Sequence, residues 1–127
     1  MDMLKIDTTL AQHGACAGHF DPDAWFTEPG HDEEAGRNHK RLGGKYEYDM
    51  QRTIMALAIC SSCPVAQECL QAGMSEDYGI WGGLMAGERM SMNGSSMTGW
   101  RLGKLRVAQK VRHYARTKYA EVWKKYS

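Results

Sequence analysis

Three of the chain's four cysteines fall within ten residues, as Cys60-Ser-Ser-Cys63-Pro-Val-Ala-Gln-Glu-Cys69, and the fourth, Cys16, stands alone upstream. Four soft ligands with none to spare is the count for a thiolate-bound metal centre. The Cys-x2-Cys step is shared by zinc sites, iron–sulfur clusters and redox-active dithiols. The Cys-x5-Cys step that follows is less usual for zinc, whose ligand halves commonly show short gaps, and it departs from ferredoxin spacings. A four-iron cube is wider than one ion, so it suits ligands spread over two helix ends and a distant segment. Spacing alone favours a cluster over zinc and leaves an active dithiol open as well. His13 and His19 flank Cys16 as rival ligands, but four thiolates make them unnecessary.

A thiol–disulfide oxidoreductase using Cys60 and Cys63 would be an enzyme, and such centres normally open a helix beside a βαβ pattern. No βαβ pattern is visible, and nothing groups a hydrolytic nucleophile with a base. An enzyme is therefore not expected. A structural zinc module binding nucleic acid or protein is the other alternative.

Shortly after the cysteines comes Gly79-Ile80-Trp81-Gly82-Gly83. Three glycines around a tryptophan supply positive φ angles for a tight turn and permit close backbone approach. They also remove neighbours that would bury Trp81, which favours an exposed anchor over a core ring. Upstream, Asp21-Pro22 can open a turn or short helix with Pro22 at its first position. Trp25 and Phe26 would then leave that helix on sides about 100° apart. They are either core rings, or they shield the metal site or project as a partner-binding ledge.

The elements that must position these residues read as helices. Met50, Ile54, Leu57 and Ala58 form an apolar stripe running into Cys60, with Gln51 and Arg52 off it. Pro64 stops that helix near Cys60–Cys63 and suits the start of another, Val65 to Ala72, capped by Gly73. Two helix ends thus aim three sulfurs at one point. Residues 30–45 read as a loop or insertion rich in glycine and charge. Leu84 to Met90 forms a short helix stopped by Asn93-Gly94, and residues 91–99 form a linker. Met85, Met90, Met92 and Met97 are adaptable packing. From Leu105 to Tyr126 apolar residues recur every three or four positions, predicting one long amphipathic helix.

The net charge of +1 conceals an asymmetry: residues 1–99 carry −7 and residues 100–127 carry +8. An acidic body with a basic end implies two different partners. Nucleic acid is expected at Arg101, Lys104, Arg106, Lys110, Arg112, Arg116 and Lys118, against the alternative of a solvated helix packing on the body. At 127 residues one domain is expected. No apolar run approaches the roughly 18 residues that span a bilayer, and the N-terminus lacks the features of a secretory signal. The expected address is cytoplasmic, where cysteines more often serve metal or redox chemistry than disulfides.

The set Cys16, Cys60, Cys63 and Cys69 with the Gly-Ile-Trp-Gly-Gly turn resembles the WhiB-like family of actinobacteria and their phages. Asp21-Pro22 and the aromatic pair Trp25-Phe26 are similar to that family's upstream segment, and the match covers roughly residues 13–90. The resemblance implies an all-α domain over residues 1–90, organised around a 4Fe–4S cluster held by the four cysteines, with a basic C-terminal helix. It implies a redox- and nitric-oxide-responsive transcription regulator that docks on the C-terminal domain of the principal sigma factor of RNA polymerase. Contact there would come from Trp25, Phe26, Gly79, Ile80, Trp81, Gly82 and Gly83, while the basic tail reaches promoter DNA. The chain departs from the family in having Trp25-Phe26-Thr27 where a paired phenylalanine and proline are usual, in a longer 30–45 loop, and in lacking an Arg-Gly-Arg-Pro hook. A compact phage-borne member would act as a competitor of a host regulator.

Overall fold

The computed structural model describes residues 22–29 and 44–127. Cys16, both neighbouring histidines and nearly all of the 30–45 loop lie outside the described residues. Those described form a short 3-10 turn, Pro22–Phe26, and five helices: α1 Lys45–Cys60, α2 Ala66–Gly73, α3 Ala86–Met92, α4 Trp100–Arg116 and α5 Ala120–Tyr126. Among them there is no strand, only an isolated antiparallel bridge between Trp81 and Leu84, so the all-α expectation holds there. No described helix is long and apolar enough to cross a membrane.

Helix α1 is the central element. Met50, Ile54, Leu57 and Ala58 are all buried, and Thr53, Met55 and Ala56 join them. The buried surface is thus wider than the predicted stripe, because α1 is covered from several sides. The 3-10 turn lies against it, with the Thr53 hydroxyl donating to the Thr27 carbonyl at 2.6 Å. The other flanks of α1 take α4 and α5, which supply Ala108, Val111 and Ala115 to the same core and pack Val122, Trp123 and Tyr126 against it.

Two expected features differ. The long C-terminal helix is two helices, parted at Thr117–Tyr119, where Thr117 takes φ −125° and ψ −95°. No glycine or proline marks the break. The chain turns there because Tyr119 and Lys118 both reach Glu47 of α1 and α5 packs its partly buried apolar side against the core; tertiary contact outweighs the local preference for a continuous helix. Gly73 is the last residue of α2 rather than a left-handed cap, since the following Met74 is itself helical at φ −58°. A Cβ on Gly73 would stand 2.0 Å from Cδ2 of Trp81. This glycine is there for close approach.

Residues 91–99 do not separate an independent tail. Helices α3 and α4 meet almost backbone to backbone, for a Cβ on Gly87 would lie 2.5 Å from the Leu105 nitrogen and the Lys104 carbonyl. The basic segment is therefore part of the body.

Candidate functional site

Helix α1 ends at Cys60, and its last turn tightens through Ser61 N–H to Leu57 and Ala58 carbonyls and Cys63 N–H to the Cys60 carbonyl. Pro64 prevents continuation, and α2 then carries Cys69 in its first turn. Cys60 is buried, while Cys63 and Cys69 are half-buried.

The glycine turn closes over these sulfurs. Gly79, Gly82 and Gly83 have φ of 87°, 61° and 82°, the left-handed region that only glycine enters cheaply. The Gly82 N–H donates to Cys69 Sγ at 3.2 Å. A Cβ on Gly83 would lie 3.6 Å from the Cβ of Cys60. The buried indole Nε1–H of Trp25 donates to Cys60 Sγ at 3.2 Å. Two sulfurs thus each receive a hydrogen bond that would stabilise a thiolate and tune whatever it binds. Among the described residues, no three or more His, Cys, Asp and Glu side chains form a group that could hold a metal ion. The fourth expected ligand, Cys16, is outside the described residues. Cys60 sits at a helix C-terminus, where the dipole disfavours a thiolate, the reverse of the arrangement an active dithiol needs.

The two aromatic-bearing segments meet. Ile80 N–H donates to the Trp25 carbonyl at 2.7 Å, and a Cβ on Gly79 would stand 2.7 Å from the Phe26 ring. Trp25 and Ile80 are buried, whereas Phe26 is 62% exposed. Trp81 is not the prominent anchor expected. Its ring lies half-buried over Gly73, and its Nε1–H donates to the Tyr78 carbonyl at 3.1 Å. The exposed aromatics here are Phe26 and Tyr78.

Arg89 was not singled out by sequence reasoning, yet it organises the turn. Its side chain is fully buried and donates to four carbonyls: Leu84 at 2.6 Å, Gly79 at 2.7 Å, Glu76 at 3.0 Å and Tyr78 at 3.1 Å. Burial pulls the guanidinium below its ordinary range, and the nearby Glu28, Glu76, Cys69 and Glu88 oppose that pull. Arginine remains charged throughout. The available sequence signal is a cation four residues after Met85 on a short helix's apolar side.

The seven predicted DNA-contacting cations fall into different environments. Lys104 is buried, paired with buried Glu28 at 3.2 Å and 4.3 Å from the Tyr78 ring centroid. Arg112 grips Glu88 and the Gly83 carbonyl. Lys118 pairs with Glu47, and Arg101 lies over Trp100. Arg106, Lys110 and Arg116 are exposed with His113 on the outer side of α4. Hydrogen bonding by Tyr46 is the chief cause that raises the Lys110 ammonium above its usual range, so it stays charged at neutral pH. Lys104 and Arg112 are thus engaged within the body, while Arg106, Lys110 and Arg116 face water. Replacing Lys104 by Gln is expected to cost about 1.5–3 kcal/mol of stability, the range for a hydrogen bond to a charged group. Urea unfolding checks this.

Comparison with known proteins assigns the class. The model of the family described as "Transcription factor WhiB" matches residues 11–92; the chain belongs to this family of transcription regulators. It is 39% identical over 44 residues to "Transcriptional regulator WhiB1" of Bifidobacterium longum, covering 33% of this chain and 48% of the relative. It is 46% identical over 41 residues to "Redox-responsive transcriptional regulator WhiB3" of Mycolicibacterium smegmatis, covering 31% of this chain and 43% of the relative. To "Transcriptional regulator WhiB2" of Bifidobacterium longum it is 31% identical over 80 residues, 61% of each chain. The chain therefore spans between 43% and 61% of the length of these relatives. All three are named as regulators and none as an enzyme. No solved structure matches.

Proposed function

We infer that this chain is an iron–sulfur transcription regulator whose Cys16, Cys60, Cys63 and Cys69 hold a 4Fe–4S cluster. The observation that carries the reading is the pair of N–H donors, Trp25 Nε1 on the Cys60 sulfur and Gly82 N on the Cys69 sulfur, each at 3.2 Å. Such donors stabilise electron-rich thiolates and set the potential of a cluster bound to them. When bound, the cluster would supply a redox- and nitric-oxide-sensitive group. The protein's own part is to hold the sulfurs at α1's end and in α2, and to cover them with a glycine turn.

The surface beside this site offers exposed Phe26 and Tyr78 around half-buried Trp81, and the reading places the C-terminal domain of the principal sigma factor there. Trp25, Ile80 and the glycines support that surface from beneath. Promoter DNA is assigned to the outer side of α4, through Arg106, Lys110 and Arg116. A phage-borne role as competitor of a host regulator belongs to the same reading. It predicts altered host transcripts on overexpression, and unchanged transcripts would refute it.

Anaerobic purification with iron, sulfide and zinc quantified tests the centre. Four irons and four sulfides per chain are expected, and a colourless protein carrying zinc or no metal would refute the reading. Co-purification with the sigma factor, weakened by Phe26→Ala, tests the docking surface. For DNA, each phosphate contact contributes about −0.9 to the slope of log affinity against log salt. Replacing Arg106 and Arg116 together by Gln should shallow that slope by about 2. An unchanged slope would remove α4 from the DNA interface.

A further inference from the structure

Arg112 stands on the basic helix but points its side chain into the body. Its Nη2 donates to the Gly83 carbonyl at 2.8 Å, and its Nε and Nη2 grip both oxygens of Glu88 at 3.0 and 2.9 Å. Glu88 in turn accepts from the Met85 N–H at 2.8 Å, closing the start of α3. On its other face the Gly82–Gly83 peptide segment touches the cysteines: Gly82 N–H on Cys69 Sγ, and Gly83 against the Cys60 Cβ. One guanidinium therefore joins α4 to the two residues that cover the sulfurs. The fork shape matters, because a bidentate carboxylate grip plus a carbonyl contact fixes orientation as well as distance.

We propose that Arg112 is a positioning residue that couples the cysteine centre to the basic helix, so that the state of the sulfurs sets the order and placement of α4. The proposal rests on the reading of the cysteines as a centre that changes state. A change at Cys60 or Cys69 displaces the Gly82–Gly83 segment, and with it the carbonyl that anchors α4. The influence is reciprocal: a ligand that holds α4 in place must favour the bound state of the cysteines by the same factor. Arg89 holds the chain on both sides of the turn, through the Glu76, Tyr78 and Gly79 carbonyls before it and the Leu84 carbonyl after it. Between those anchors the Gly83 carbonyl is held by Arg112.

The test is peptide-resolved hydrogen exchange on the full chain before and after the centre is perturbed. The perturbation is anaerobic removal of bound metal by a chelator, or alkylation of the cysteines with iodoacetamide where the isolated protein carries no metal. In the natural chain, exchange should rise about five- to tenfold in residues 79–84 and also across residues 100–116, at the low end of typical coupling between sites. In Arg112→Gln the rise should be confined to residues 79–84. Arg112→Lys keeps the charge but lacks the fork and should behave like Arg112→Gln. It also serves if the glutamine variant fails to fold. Exchange in 100–116 that ignores the perturbation in the natural chain, or responds equally in the Arg112 variants, overturns the proposal. Absence of a cluster sinks only the earlier reading, since the alkylation arm still decides whether Arg112 transmits.

Discussion

Replacing Arg89 by Ala should lower the stability of the protein by about 3–5 kcal/mol, the range seen when one partner of a buried charged group is removed. The side chain is completely buried, and its removal leaves a cavity and takes the donors from the Glu76 and Gly79 carbonyls, while those of Tyr78 and Leu84 keep the Trp81 indole and backbone N–H. Total stability of a domain is about 5–15 kcal/mol, so a large share is at stake. The melting temperature should fall by about 10–20 °C. Arg89→Lys should recover only part, because three ammonium protons cannot span four acceptors set in a planar fork's geometry. An alanine variant melting within about 3 °C of the natural chain would show that the turn holds itself.

Gly82→Ala carries the second large effect. At φ +61° a side chain costs about 1–2 kcal/mol. The new Cβ would also lie 2.4 Å from the Ala66 carbonyl oxygen, 2.5 Å from Leu70 Cβ and 2.9 Å from Leu70 Cα. Two of those atoms are backbone of α2 and cannot step aside without moving the helix that carries Cys69. The Gly82 N–H would leave the Cys69 sulfur. A loss of about 3 kcal/mol or more is expected, with Cys69 alkylated faster than in the natural chain. Gly94→Ala separates the two causes, since its φ is +75° with nothing within 4 Å of the added carbon. It should cost only the backbone share, about 1–2 kcal/mol. Equal losses at the two positions would mean that the contact with α2 contributes nothing.

What could be read from the chain was whatever depended on near neighbours. The Met50, Ile54, Leu57 and Ala58 stripe specifies a helix because its spacing fits one turn after another, and all four are buried. Pro64 ends α1 by lacking a donor, whatever surrounds it. The positive φ angles of Gly79, Gly82 and Gly83 follow from composition. The placement of cations did not. Lys104 and Arg106 look alike as letters, and only α3's approach at Gly87 and Glu28's position bury one and leave the other in water. The seat of Trp81 is hidden for a similar reason. Its flanking glycines remove local cover, but Gly73, eight positions back, offers a flat seat for the indole. The break after Arg116 was hidden because α4 and α5 both keep the three-to-four spacing across it. What turns the chain is Glu47, some seventy positions away.

The return of α5 onto α1 has a consequence for how the molecule is made. The apolar flank of α1 is completed by Val122, Trp123 and Tyr126, so translation must pass those codons before that flank is sheltered. Until then a nascent chain presents Met50, Ile54 and Leu57 with one side uncovered, the kind of surface chaperones hold. Ribosome stalling or frameshifts ahead of the α5 codons would therefore release the whole body in a degradable form, rather than a regulator trimmed of its basic arm.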